Sequence, residues 1–301
     1  MNPQVSYRAI GIAMAVAGVM CFSLRPVLIK LAYGYVVDPI TLLALRMIFS
    51  LPFFLAAAAW VGRDAKRAPL TRRDVWAIVF LGFVGYYFSS FVDFLGLQYI
   101  SAGLGRLILF VYPTLVVILS AAFLHKRPTA REVVALGVTY SGIALVMANA
   151  VEGVNKDLVL GAALCFASAA GYAVYLVASS QVVQRVGSMR FTAYATTVAS
   201  GFCVLQFLIL RPVSALQMPV QVYGLALAMA LFSTVLPLFI TSEALRRIGA
   251  NQVALFGALG PVTTLFFGWM GLDEVMTPVQ LSGAALVLAG VVLVTLKAAR
   301  S

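Results

Sequence analysis

The feature that most restricts this chain is an apolar run of membrane length, Gly103–Leu124, with Pro113 near its middle. A second run, Gly249–Leu272, carries Pro261 at the corresponding place, 148 residues later. At that one offset, without a gap, Leu97 matches Leu245, Ala102 matches Ala250, Thr129 matches Thr277 and Gly142 matches Gly290. Leu and Val coincide by chance in any apolar sequence, so the Pro, Thr and Gly matches carry the weight. A proline inside a lipid-spanning helix leaves a backbone carbonyl without its amide partner, which is tolerable only where protein or water covers it. Interrupted helices at matching places in two halves point to the binding site of a membrane carrier. The chain therefore reads as a duplicated helical carrier, residues 1–150 forming one unit and residues 151–301 the other.

Composition agrees with a polytopic membrane protein. Of 301 residues, 62% are hydrophobic and 10% charged, with mean hydropathy +1.01; a water-soluble domain carries roughly 25% charged residues. Apolar stretches of about 20 residues run along the whole chain. Ten spans are predicted: Ile10–Lys30, Pro39–Val61, Val75–Leu97, Gly103–Leu124, Glu132–Ala150, Leu158–Ala178, Phe191–Leu210, Val222–Leu245, Gln252–Gly271 and Pro278–Lys297. Turn signals separate them, among them Tyr33-Gly34, Arg127-Pro128, Gly187-Ser188, Gly249 and Thr277-Pro278. The short connections make successive helices antiparallel neighbours and leave no room for a soluble domain.

The formal net charge of +11 does not point to nucleic acid, because the positive residues sit in short inter-helix loops. With the N-terminus in the cytoplasm, the inner segments hold Arg8, then Arg63, Lys66, Arg67, Arg72 and Arg73, then Lys126, Arg127 and Arg131. Further inner positives are Arg185, Arg190, Arg246, Arg247, Lys297 and Arg300, whereas the outer segments hold Lys30, Lys156 and Arg211. The positive-inside rule then places both termini in the cytoplasm. Five spans per half is an odd number, so the second half enters from the opposite side: an all-α membrane protein of ten transmembrane helices in two inverted five-helix repeats. Cys21, Cys165 and Cys203 are isolated within spans and read as small apolar fillers. No cleavable signal is evident, and the lack of an Asn-x-Ser/Thr acceptor favours a cytoplasmic (inner) membrane.

These residues resemble the EamA-type transporters of the drug/metabolite transporter superfamily. Lys30 closing the first span, Pro39 opening the second and Arg46 within it are similar to the start of that domain. Ser101-Ala102, Pro113, Leu124–Thr129 and Gly142 are similar to its end, and Gly249-Ala250, Pro261, Leu272-Asp273-Glu274 and Gly290 repeat it. One departure stands out: the acid that follows the fourth span in the family is kept as Glu274 in the second half, while the first half has Lys126. The resemblance implies a ten-helix exporter of small metabolites, with amino-acid exporters, aromatic ones included, as the nearest-looking members.

Charged side chains within spans are costly and rare. Arg25, Arg46, Asp93 and Arg106 fall toward the predicted outer half of the membrane. Asp93 is expected to pair with Arg106 or Arg46 and hold the outer gate; the alternative leaves one Arg free to meet a substrate carboxylate. Lys30 is expected to snorkel to the headgroups or to neutralise helix-terminal carbonyls. Glu243 and Arg247 are spaced for an (i, i+4) ion pair, and His125 reads as a solvated loop residue.

Mid-depth offers aromatic and small polar surface instead of carboxylates: Tyr86, Tyr87, Tyr112, Ser168, Tyr172, Tyr175 and the Ser233-Thr234 pair. Tyrosine is less expected at mid-membrane than at the interface, and its buried hydroxyl needs a partner. All of these except Thr234 make up the expected substrate-binding set. Pro26, Pro113, Pro237, Gly260 and Pro261 are the expected hinge and cavity backbone, with the Leu259–Pro261 carbonyls available to a substrate ammonium. Gly171, Gly201, Gly268, Gly283 and Gly290 are expected to permit close helix packing. No nucleotide-binding loop, zincin helix or Cys/His metal spacing occurs, so no cofactor and no metal is expected. The expected partners are a small-molecule substrate and membrane lipid, on a monomer or weak dimer. The leading expectation is a secondary exporter of amino acids, neutral and aromatic included, working by alternating access, as facilitated transport or exchange and not proton antiport. The alternatives are a multidrug or lipophilic-cation exporter, which lacks the midplane acid it needs, and a membrane-embedded enzyme acting on lipid, which lacks a catalytic cluster.

Overall fold

In the computed structural model the described residues are 3–62, 69–124, 156–257, 259–274 and 277–298, with scattered positions between 130 and 145. The predicted span Glu132–Ala150, the loop containing His125 and Lys126, and the expected turn at Gly153 lie largely or wholly outside them. The helices are α1 (Pro3–Tyr33), α2 (Pro39–Gly62), α3 (Arg72–Leu81), α4 (Ser89–Gly96), α5 (Ala102–Leu109), α6 (Tyr112–Leu124), α7 (Lys156–Val186), α8 (Ser188–Leu210), α9 (Val220–Ala230), α10 (Leu236–Gly257), α11 (Gly260–Leu272) and α12 (Pro278–Ala298). Seven helical stretches among the described residues are long and apolar enough to cross a membrane. Large apolar side chains stay exposed on the outside, Trp60 (69%), Trp76 (74%) and Phe123 (72%) among them. In lipid these faces need no cover, and helix association rests on packing and hydrogen bonds.

Local chemistry sets several helix ends. Thr71 and Asp74 form a capping box at the start of α3. Pro39 opens α2 while the Asp38 carboxylate accepts the Ile40 and Thr41 amides. Ser101 caps α5 by accepting the Leu104 amide at 3.2 Å. Asp273, with φ 52°, ends α11 in a left-handed turn that returns the Glu274 amide to the Gly268 carbonyl. That turn aims the Glu274 carboxylate at the Ala102 and Gly103 amides, at 2.9 and 3.4 Å, so an acid late in the sequence neutralises the start of α5.

Two π-helical segments interrupt long helices: Gly82–Phe88 between α3 and α4, and Leu231–Val235 between α9 and α10. The second is residues 83–87 shifted by 148, and α11 is α6 shifted by 148 at both ends. The breaks after Leu109 and Gly257 obey the same offset. Pro113 and Pro261 therefore do not lie within continuous helices, whereas Pro26 and Pro52 lie inside α1 and α2. Pro113 and Pro261 each occupy the second residue of the helix that restarts after a break, where a missing amide is harmless to that helix.

The turn expected at Gly249 is absent: α10 runs through it to Gly257. The reason lies in the matching residues. Ser101 starts α5 with its hydroxyl, whereas position 249 is glycine and offers no side-chain acceptor, and no proline intervenes before residue 261.

The buried side chains form three main clusters. One gathers Ile29, Leu42, Leu43, Phe94, Leu97 and Met229; a second gathers Ile100, Leu104, Leu107, Ile108, Phe110 and Cys165; a third gathers Ile78, Leu81, Tyr175, Val182, Val186 and Phe191. Along α3 to α4, Ser89 and Ser90 come between Ile78 and Leu81 of the third cluster and Phe94 and Leu97 of the first; along α7, Ser168 comes between Cys165 of the second and Tyr175 of the third. Of the glycines expected to pack closely, Gly171 does so against Ser89 Oγ, while Gly201 faces open space.

Candidate functional site

Between the clusters lies a cavity of about 320 Å³, within the 300–1,000 Å³ usual for small-molecule sites. Both halves of the chain line it: α1 gives Phe22 and Arg25, α2 Arg46 and Met47, the first π segment Gly85 and Tyr86, α5 Arg106 and Leu109, and α6 Tyr112. From the second half come Ser168 and Tyr172 of α7, Thr196 of α8, Ser233 and Thr234 of the second π segment, and Thr241 and Gly257 of α10. Five of the seven residues expected to face a substrate meet here: Tyr86, Tyr112, Ser168, Tyr172 and Ser233.

Tyr87 and Tyr175 do not line the cavity. Adjacent residues on a helix point about 100° apart, so Tyr86 and Tyr87 cannot share a face. Tyr87 turns instead to an aromatic packet with Phe83, Phe91 and Phe202. Tyr175 lies behind the wall, its hydroxyl 2.9 Å from that of Tyr86 and its ring stacked on Tyr172 and Phe191. Gly85 makes this contact possible, because a Cβ there would fall 2.3 Å from the Tyr175 ring. Tyr112 meets Tyr172 edge to face at 5.0 Å, so the aromatic wall joins α6 to α7.

The hydroxyls of the wall hold the interrupted backbone. Ser89 Oγ donates to the Val84 carbonyl, and both Ser233 Oγ and Thr234 Oγ1 donate to the Met229 carbonyl, at 2.8 and 3.0 Å. Ser168 Oγ ties the two halves together by donating to the Ser89 carbonyl at 2.7 Å. Each π segment is thus braced by serine or threonine where its ladder is irregular.

The charges are arranged differently from the expectation. Asp93 pairs with Arg25, Nη2 to Oδ2 at 2.7 Å, and not with Arg46 or Arg106. Arg25 reaches across from α1, a long-range contact that spacing within the Asp93–Arg106 hairpin could not reveal. Arg46 is 2% exposed; its guanidinium lies 5.0 Å from the Phe94 ring centroid, and its Nε has no hydrogen-bond partner. Arg106 Nε is likewise buried without a partner, and its Nη2 comes 3.5 Å from where a Cβ of Gly260 would stand. Among the described residues, three guanidinium groups border the cavity and the one carboxylate paired with them is Asp93. A buried charge lacking a partner costs several kcal/mol, so such groups persist in a membrane where water or a ligand can meet them.

Two smaller expectations hold. Lys30 Nζ donates to the carbonyl of Leu97, the last residue of another helix's end, at 3.1 Å. Arg247 pairs with Glu243 at 2.7 Å.

Two of the Leu259–Pro261 carbonyls are already engaged: Gly260 O accepts from Ser23 Oγ, and Leu259 O accepts from the Thr263 amide and hydroxyl. The carbonyls that proline deprives lie four residues upstream of each proline, at Phe22 (Pro26), Leu109 (Pro113), Ser233 (Pro237) and Gly257 (Pro261). All four residues line the cavity. Pro52 makes the contrast, because its upstream residue Ile48 is exposed outside the bundle.

Sequence reasoning missed Arg25 as the partner of Asp93, and it missed Ser89, Ser90, Thr196 and Thr241. An intramembrane arginine immediately before Pro26, and paired serines inside the third apolar run, were the available signals.

The family model described as the EamA-like transporter family matches residues 9–148 and again residues 159–296. The chain is 28% identical over 293 residues to "Uncharacterized transporter YcbK" of Bacillus subtilis, covering 93% of this chain and 91% of that one. It is 26% identical to the "Probable terminal-alkyne amino-acid exporter" of Streptantibioticus cattleyicolor, covering 80% and 79% of the two chains. A solved crystal structure shares the fold with a TM-score of 0.66, at 19% identity and over 96% of this chain and 98% of the other.

Proposed function

Because the chain belongs to the EamA-like transporter family, and is thus a multi-pass membrane transporter and not an enzyme, we propose that it exports small metabolites, amino acids foremost, by alternating access around the central cavity. The observation that carries this reading is the cavity itself. Residues of both halves enclose it; among the described residues three arginines border it, one of them paired with Asp93, and tyrosines and small hydroxyls complete the wall. A carrier built from two units, residues 1–150 and 151–301, exposes such a site to either side by rocking one against the other. On this reading the units are inverted five-helix repeats, the protein has ten transmembrane helices, and it sits in the cytoplasmic membrane with both termini inside. It works as a monomer or weak dimer.

A surplus of guanidinium over carboxylate favours a substrate bearing a carboxylate and disfavours the lipophilic-cation alternative, since a desolvated cation beside Arg46 and Arg106 is repelled. Coupling follows the same logic. With Asp93 held by Arg25, no free acid lines the cavity among the described residues to carry protons across, and transport runs down the substrate gradient or by exchange.

Purified protein in liposomes loaded with a panel of labelled amino acids tests the reading. Release of at least one amino acid, accelerated by external amino acid and indifferent to an imposed pH gradient, is expected. Accumulation driven uphill by that gradient refutes the coupling, and release of quaternary ammonium dyes with no amino-acid release refutes the substrate class.

A further inference from the structure

We infer that the cavity binds its substrate at both ends of a zwitterion: Arg106 takes the carboxylate, and the unpaired carbonyls of Leu109 and Gly257, at the two helix breaks, take the ammonium. The assignment rests on the exporter reading and specifies its substrate as a free α-amino acid.

The backbone supplies the anionic half. Leu109 ends α5 and Gly257 ends α10, so each presents the negative end of a helix to the break that follows. In an unbroken helix their carbonyls would accept from residues 113 and 261, which are prolines and have no amide hydrogen. None of the turn, loop, cap or side-chain hydrogen bonds among the described residues reaches either carbonyl. Gly257 has no side chain, so whatever it presents to the cavity is backbone. The two carbonyls are related by the 148-residue offset, which makes them a matched pair contributed by the two halves.

The cationic half is adjacent. Arg106 lies three residues before Leu109 on the same helix, less than one turn away, and its guanidinium stands against Gly260, three residues beyond Gly257. One guanidinium thus serves both breaks. Its Nε is buried and unpartnered, and the nearby acid is committed to Arg25. An α-amino acid holds its nitrogen about 2.5 Å from its carboxylate carbon, which suits a guanidinium and carbonyl ends less than a helical turn apart. A substrate lacking either charge leaves one half of the site desolvated and unpaired, a loss that sites of this kind turn into strong discrimination.

The test uses proteoliposomes and labelled L-phenylalanine, competed with L-phenylalaninamide, which lacks the carboxylate, and with L-3-phenyllactate, which lacks the ammonium. Both are expected to compete at least about tenfold more weakly than L-phenylalanine. Pro261→Ala returns an amide to the Gly257 carbonyl and is expected to weaken L-phenylalanine several-fold while leaving phenyllactate competition unchanged. Pro113→Ala is expected to do the same through Leu109, should the first variant not fold. A purely mechanical role for the prolines predicts equal losses for both compounds, and that result overturns the carbonyl assignment. Phenyllactate competing as well as L-phenylalanine in the wild type also overturns it while leaving the exporter reading intact. No transport of any amino acid overturns both.

Discussion

The two halves of this molecule share a backbone and divide the chemistry. Their π segments, helix breaks and restarted helices coincide at an offset of 148 residues. Yet the cavity's guanidinium groups, Arg25, Arg46 and Arg106, all come from the first half. At the same offset Arg46 is matched by Tyr194 and Tyr112 by Gly260. The first half contributes every guanidinium and most of the aromatic surface, and the second adds Tyr172 to a lining mainly of hydroxyls, small residues and bare backbone. The duplication thus preserves how the chain breaks and lets the side chains on either side of the breaks diverge. The helix starts differ too: α5 has Ser101 and Glu274 to satisfy its first amides, while the matching positions, Gly249 and Lys126, supply no acceptor, and there the helix runs on.

The comparison can be broken most sharply at Arg106. Arg106→Gln is expected to lower amino-acid transport roughly 30-fold or more, the loss of one partner from a desolvated charge pair at about 2–5 kcal/mol. Tyr194→Phe, at the second-half match of Arg46, is expected to change transport less than about twofold, because it removes no charge from the cavity. Comparable losses would dissolve the division of labour.

The π segments give the next effect. Gly85→Ala forces a methyl into the Tyr175 ring and is expected to destabilise by about 1–3 kcal/mol, read as a lower melting temperature in detergent. Ser233→Ala, at the matching position, removes one of two hydroxyls on the Met229 carbonyl and is expected to cost about 1 kcal/mol at most.

Smaller still, Ser101→Ala is expected to cost about 1 kcal/mol and Glu274→Gln about 0.3–1 kcal/mol. Both act on one helix start, so the double variant should be non-additive; strict additivity would mean that the two caps work independently.

The smallest effect lies outside the spans, at the contact of Asp38 with Arg211. Burial raises the Asp38 carboxyl, but hydrogen bonds from Thr41 and Arg211, with the charge of Arg211, outweigh it and hold the group below its ordinary value. Its stabilisation is therefore present above the ordinary carboxylate range and is lost as pH falls through the lowered value. Asp38→Asn should flatten that part of the stability profile, and an unchanged acid limb would show that this contact contributes nothing.

Much of the architecture was legible because lipid imposes a length and a polarity that sequence displays directly. The prolines were legible for the same reason, since a residue without an amide is conspicuous in an apolar run. What they do was only half legible. Pro113 and Pro261 open helices instead of kinking them, and the carbonyls they release belong to Leu109 and Gly257, not to Leu259–Pro261. The π segments left no composition signature beyond Gly82 and Gly85. Adding one residue per turn changes which neighbour faces inward, so the separation of Tyr86 from Tyr87 could not be assigned to a face in advance. The partner of Asp93 was hidden because the contact with Arg25 spans 68 positions, while local spacing favoured Arg106.

The Arg25–Asp93 pair has one more consequence. By occupying the acid nearest the cavity, it leaves a fixed positive field where water can enter. Hydronium, sodium and potassium all meet a barrier there, as they do at guanidinium constrictions in water-conducting pores. On the proposed carrier reading, such a lining keeps cations from leaking through whichever side of an energised membrane the cavity faces.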